Sequence, residues 1–155
     1  MAYAENTDVS SDKSRQEIER TLTRYGADQF IYAWDQSQAV VGFRMKGLHI
    51  RYKLKMPDKN DVQFQRTAVK QLRRQPEQIA KAWEQACRQK WRALALVVKA
   101  KLEAVQAGIT TFEEEFLSAT LLPDGSTVGQ WARPQIAAAY KDGKMPALML
   151  SMGER

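Results

Sequence analysis

The chain has 155 residues, 44% hydrophobic and 27% charged, a globular composition that at this length lets about 70% of the unfolded surface be buried. A single cysteine, Cys87, excludes an intramolecular disulfide framework, and with a single histidine, His49, it also excludes a Cys/His zinc site. The net charge of +6 is unevenly spread: residues 1–43 carry 4 Lys/Arg against 7 Asp/Glu, residues 44–101 carry 16 against 4, and residues 102–155 carry 4 against 7. A centre of +12 between two flanks of −3 is the pattern of a localised anion-binding surface, although Lys and Arg also serve simply to solvate helix and strand faces.

No apolar run approaches the ~20 residues that span a bilayer, and the polar stretch from Ala4 to Ser14 lacks the apolar segment of a secretion signal. These features predict a soluble, cytoplasmic protein with no membrane partner. Residues 1–13 read as a disordered leader. Ser14 then offers an N-cap with Glu17 at the capping-box position, Ile18, Leu22 and Tyr25 follow at helical spacing, and Gly26 is a natural stop.

Three strands are predicted next. Gln29 to Trp34 alternates, with Phe30, Tyr32 and Trp34 on one side and Ile31 and Ala33 on the other. Ala39 to Met45 is rich in strand formers, and Lys46-Gly47 makes a tight turn. In Leu48 to Met56, Leu48, Ile50, Tyr52, Leu54 and Met56 face one way, while His49, Arg51, Lys53 and Lys55 face the other. The reading is an antiparallel meander with one buried face and one basic face.

Residues 57–75 form a long loop with a helical turn expected around Thr67 to Leu72, and it carries Lys59, Arg66, Lys70, Arg73 and Arg74. From Pro76 to Ala107 nothing interrupts a helix, and Gly108 closes it, a length of about 48 Å. Its apolar stripe runs Ile79, Trp83, Cys87, Trp91, Leu94, Val98, Leu102 and Val105. Thr110 or Thr111 caps a short helix through Phe116, residues 122–125 form a turn, and Ser126 or Thr127 starts a last helix that Pro134 should kink or split and Gly143 should end. Residues 144–155 read as a tail in which Met145, Leu148 and Leu150 pack back. The fold class is α+β: a short N-terminal helix, a three-stranded antiparallel meander, a long central helix and two or three short C-terminal helices, in one domain over residues 14–150 with 151–155 as its end.

Cations at every second residue of a strand recur at roughly 6.5–7 Å, which suits a nucleic-acid backbone. The candidate nucleic-acid-binding residues are therefore Arg44, His49, Arg51, Lys53 and Lys55 on the strands, Arg66, Lys70, Arg73 and Arg74 in the loop, and Arg88 and Arg92 on the long helix. If Phe30, Tyr32 and Trp34 share the face of Arg51, the sheet is a stacking platform beside a cationic rail; burial is the commoner fate of such aromatics. Trp91 lies on the apolar stripe, where burial is again the expectation. Catalysis finds little support. His49 has no partner by spacing, Cys87 sits on an apolar helix face, Glu113, Glu114 and Glu115 fan around a helix instead of converging, and Asp58, Asp61 and Glu77 fit no magnesium pattern. No Gly-rich phosphate loop is present. No enzyme, cofactor or metal site is expected.

The run at 82–94 (AWEQACRQKWRAL), with those at 99–105 (KAKLEAV), 111–117 (TFEEEFL) and 122–125 (LPDG), resembles a family of small proteins encoded by bacteriophages and prophages. The resemblance implies a mobile-element origin and action inside the bacterial host cell, and carries over no functional residue. The order helix, three strands, long helix also resembles double-stranded-RNA-binding domains and the core of phage single-strand annealing proteins, a likeness of architecture alone. The expectation is a non-enzymatic nucleic-acid-binding protein of phage recombination or replication, with single-stranded DNA favoured and annealing-type rings as the implied homo-oligomer. The alternative is a host-takeover or anti-defence protein that binds and inhibits a host protein, such as a defence nuclease or the transcription machinery.

Overall fold

The computed structural model describes residues 7–145, in the order α1 (Ser11–Arg24), β1 (Gln29–Trp34), β2 (Gln38–Met45), β3 (Leu48–Lys55), α2 (Val62–Gln65), α3 (Pro76–Gln106), α4 (Phe112–Glu115), a 3-10 turn (Leu117–Ala119) and α5 (Val128–Asp142). The α+β class and the antiparallel order β1-β2-β3 follow the sequence pattern. The β2–β3 hairpin closes on Lys46 (φ 51°) and Gly47 (φ 77°), two consecutive left-handed residues whose twist matches that of the paired strands.

Burial alternates along β2 with period two: Ala39, Val41, Phe43 and Met45 are buried and their neighbours are not. Against this inner face lies α3, whose Trp91, Leu94, Ala95, Val98 and Leu102 are buried in the same cluster. Steps of three and four residues put these side chains on one stripe, so a single helix covers most of the sheet face. Helix α1 completes the layer through Ile18 and Leu22. Its partners on α3 advance together along both chains: Gln85 Nε2 donates to Thr7 O, Arg92 pairs with Glu17, and Tyr25 Oη donates to Glu103 Oε1 at 2.6 Å. The two helices therefore run parallel. Phe112 and Phe116 seal the far end, with Phe116 edge-on to Phe43 at 5.7 Å. Lys101 holds α4 there, its Nζ 2.8 Å from Glu115 Oε1.

Several boundaries differ from expectation. The leader ends earlier, because Ser10, not Ser14, caps α1 by accepting from Lys13 N. Ser14 lies inside the helix, fully buried, and its hydroxyl has no hydrogen-bond partner among the described residues. A helical turn at Val62–Gln65, capped by Asp61, adds to the expected one. At 67–72 a single turn is present, Gln71 N donating to Thr67 O at 3.1 Å, enclosed by a bridge between residues 66 and 73. Thr111 and Thr127 are the caps of α4 and α5, and α5 runs unbroken through Pro134 to Gly143 (φ 66°). The proline costs one bond, at the carbonyl of exposed Gln130. Met145 is exposed and does not pack back, and Leu148 and Leu150 lie outside the described residues.

Three outcomes follow for stability. Phe116→Ala should cost about 3–5 kcal/mol by urea denaturation, while Val69→Ala, at a position 91% exposed, should cost less than about 0.5 kcal/mol. Ser14→Ala should raise stability by about 1 kcal/mol, because it removes a buried, unpartnered hydroxyl and adds a better helix former. Burial, reinforced by the nearby Glu115 charge, pushes the Tyr52 phenol up to about 12. Its neutral form is thus favoured in the fold. That contribution is complete below the unfolded value near 10 and is lost as pH rises from there through about 12. Tyr52→Phe should remove this part of the alkaline destabilisation in melts taken across that window.

Candidate nucleic-acid interface

Strand register decides which side chains share the outer face. Arg44 stands opposite His49, Gly42 opposite Arg51, Val40 opposite Lys53 and Gln38 opposite Lys55; Gln29, Ile31 and Ala33 of β1 extend the first three of these rows. The expected row of His49, Arg51, Lys53 and Lys55 is therefore real and continuous. The face as a whole is not basic, however. Its cations come almost entirely from β3, and β1 and β2 supply a shelf of small and aliphatic residues in which Ile31 is 57% exposed. The outward positions of β2 are Gln38, Val40, Gly42 and Arg44, so only one of the four carries a charge.

That one charge is already engaged. Arg44 Nε and Nη2 each donate to the Asp28 carboxylate at 2.8 Å, a bidentate pair. The guanidinium holds the Asp28 carboxyl below its usual range, chiefly through this hydrogen bonding. Arg44 is thus a locked edge of the surface and not a free phosphate donor. Arg51 Nη2 donates to Gln130 Oε1 at 3.2 Å, which ties the middle of the row to the first turn of α5. Among the described residues, the side chains of His49, Lys53 and Lys55 make no hydrogen bond or ion pair, and all three are exposed.

The remaining candidates do not join this row as one surface. In the loop, Arg66 donates to Gln71 O at 2.9 Å, and Arg74 donates to the carbonyls of Gln63 and Phe64 at 3.3 and 3.4 Å. Both hold the loop's own backbone together, whereas the side chains of exposed Lys70 and Arg73 make no hydrogen bond or ion pair among the described residues. Arg88 donates twice to Gln85 Oε1 on the same helix, and Arg92 pairs with Glu17 of α1. Arg92 belongs to the helical layer that covers the inner face, so it lies on the opposite side of the sheet from the β3 row.

The aromatic platform is overturned by the same register. Phe30 and Tyr32 stand opposite Phe43 and Val41 and pack against the core. Trp91 is 3% exposed, edge-on to Tyr32 at 5.4 Å, with the Arg15 guanidinium over both rings. Cys87 is buried as expected, and burial raises its thiol pKa, with Glu84 adding to the effect. Among the described residues, no three His, Cys, Asp or Glu side chains are grouped to hold a metal ion, and no helix is long and apolar enough to cross a membrane.

One element of the surface has no counterpart in the sequence reading. Trp34 ends the inner-face column but is 70% exposed although its partner Ala39 is 1% exposed, so the cover closes over β2 in this row and leaves the edge strand β1 open. With Tyr32, Trp83, Lys55 and Lys59 it lines a cleft of about 710 Å³. Trp83 Nε1 donates to Pro57 O at 2.8 Å, and Lys59 Nζ lies 5.6 Å from the centre of the Trp83 ring. The strict alternation of Phe30, Tyr32 and Trp34 places them on one face but carries no information on where the opposing helix stops covering that face.

Compared with protein-family models, with curated proteins and with solved structures, the chain matches none of the three.

Proposed function

We propose that the protein is a non-enzymatic nucleic-acid-binding protein that holds a strand by its phosphates along β3. The observation that carries this reading is the row His49, Arg51, Lys53 and Lys55, four consecutive outward positions of one strand, three of them without a side-chain partner among the described residues. Cations on alternate strand residues recur at roughly 6.5–7 Å, close to the phosphate spacing of an extended single strand. Neutralising phosphates there releases condensed counterions, so affinity is mainly electrostatic and tolerant of sequence. Lys70 and Arg73 are further exposed cations, in the loop and apart from this row. On the resemblance described above, the setting is phage or prophage DNA metabolism, with single-stranded DNA as the favoured ligand.

A second reading rests on α5. Trp131, Ile136 and Tyr140 are exposed, and the helix has no buried residue. Large apolar side chains on an uncovered helix favour a protein partner, and under this reading the chain binds and inhibits a host protein.

Fluorescence anisotropy with labelled single- and double-stranded DNA and RNA separates the two. With about three phosphates neutralised on a single strand by Arg51, Lys53 and Lys55, affinity should fall about 20-fold between about 50 and 200 mM salt. Arg51→Glu with Lys53→Glu should weaken binding of every sequence by at least about tenfold and flatten the salt dependence. No binding at the lower salt overturns the proposal, and a single stoichiometric partner that survives nuclease treatment supports the second reading.

A further inference from the structure

We infer that the cleft between the end of β1 and the start of α3 takes an unstacked nucleobase from the strand bound along β3. This rests on the nucleic-acid reading above and adds to it a site for the base, where the β3 row contacts only phosphate.

The first ground is Trp34. An indole left 70% exposed on the face of a sheet that elsewhere forms the core is apolar surface kept in water. Its neighbours in the same column, Phe30 and Tyr32, are packed against the core. Trp34 therefore presents a ring that the fold itself does not cover.

The second ground is the shape and stiffness of the walls. The volume of about 710 Å³ lies within the range of sites that enclose small organic ligands. Trp83 lines the cleft with its one polar hydrogen already given to Pro57 O, so its orientation is fixed, and Lys59 Nζ lies over its ring 5.6 Å from the centre. Trp91 and Tyr32 brace each other edge-to-face, with Arg15 over both rings. Planar heterocycles gain most from such aromatic walls, and every base offers a face to stack.

The third ground is charge and continuity. Lys55 and Lys59 line the cleft, and Asp35 and Asp58 line it too, but the carboxylates are engaged in local turns. Asp35 Oδ1 accepts from Ser37 N, Ser37 Oγ and Gln38 N, and Asp58 Oδ1 accepts from Asn60 N. Hydrogen bonding does not cancel the carboxylate charges, so the lining is formally neutral, with the carboxylate oxygens turned to the loop backbone and the ammonium groups of Lys55 and Lys59 left to meet a phosphate. A base carrying its own phosphate fits the same groups. Lys55 ends the β3 row on the outer face and also lines the cleft, which opens on the inner face, so a backbone that follows Arg51 and Lys53 reaches the cleft by turning round the end of the sheet at Lys55.

The test compares an oligothymidylate of about 15 nucleotides with an abasic strand of the same length, each titrated by anisotropy against the full chain at about 50 mM salt. The wild-type protein should bind the thymidylate about tenfold more tightly than the abasic strand, within the range expected for stacking one or two bases. Trp34→Ala should lose that preference by weakening only the thymidylate, and Trp34→Phe should restore most of it. Arg51→Glu with Lys53→Glu should weaken both strands equally. Because Trp34 is largely exposed, the Ala variant should keep the wild-type urea midpoint, so that an affinity loss is not one of folding. Equal affinity for the two strands, or a Trp34→Ala variant that keeps the preference, overturns the base site and leaves backbone binding standing. No binding of either strand overturns both.

Discussion

The organisation of the molecule depends on one packing event, the laying of a single apolar stripe of α3 across one face of a three-stranded sheet. A meander of three strands is marginal by itself and needs a covering layer. Trp91, Leu94, Ala95, Val98 and Leu102 supply it for Ala39, Val41, Phe43, Met45 and Ile50. Once that face is committed to the core, the period of two sends every other residue of β3 to the opposite side. The outward cationic row is thus the necessary complement of the core, and a slip of one residue in register would bury His49, Arg51, Lys53 and Lys55 together. The site inherits its rigidity from the same packing.

Ion pairing then decides which charges remain available. The central segment carries +12, yet much of it is used internally: Arg44 on Asp28, Arg92 on Glu17, Lys101 on Glu115, and Arg66 and Arg74 on loop carbonyls. The flanking acidic segments therefore do more than offset the total. Glu17 and Asp28 lie in the first and Glu115 in the last, and each removes one central cation from the set that can meet a ligand. What is left includes the β3 row, Lys70 and Arg73, Lys59 beside the aromatic cleft, and the exposed Lys46, Lys81, Lys90 and Lys99.

Features set by short-range periodicity could be read from the chain. The alternation in Leu48 to Lys55 places the cationic row, and the uninterrupted spacing after Pro76 gives α3 to within one residue. Features set by distant partners could not. Asp28 and Arg44 are 16 residues apart and Glu17 and Arg92 are 75, so nothing local marks the arginines as engaged. Ser10 and Ser14 are one helical turn apart and both suit a cap, so pattern alone does not choose between them; in the fold Ser10 accepts from Lys13 N, and Ser14 N already donates to Ser10 O inside the helix. The exposure of Trp34 depends on how far a helix 50 residues later reaches across the sheet, which is a property of packing and not of pattern.

The bond between Arg51 and Gln130 gives α5 a mechanical meaning. This helix has no buried side chain and is anchored through the turn that follows α4, with Val128 N donating to Thr120 O and Leu121 N to His49 O. Such an element opens at low free energy while the core stays closed. When its first turn lifts, Gln130 leaves Arg51 and the guanidinium in the middle of the cationic row is released. Because Gln130 is neutral, the charge of Arg51 is the same in both states; what the bond fixes is the direction of the guanidinium, so one tooth of an otherwise rigid row is aimed by a neighbouring helix.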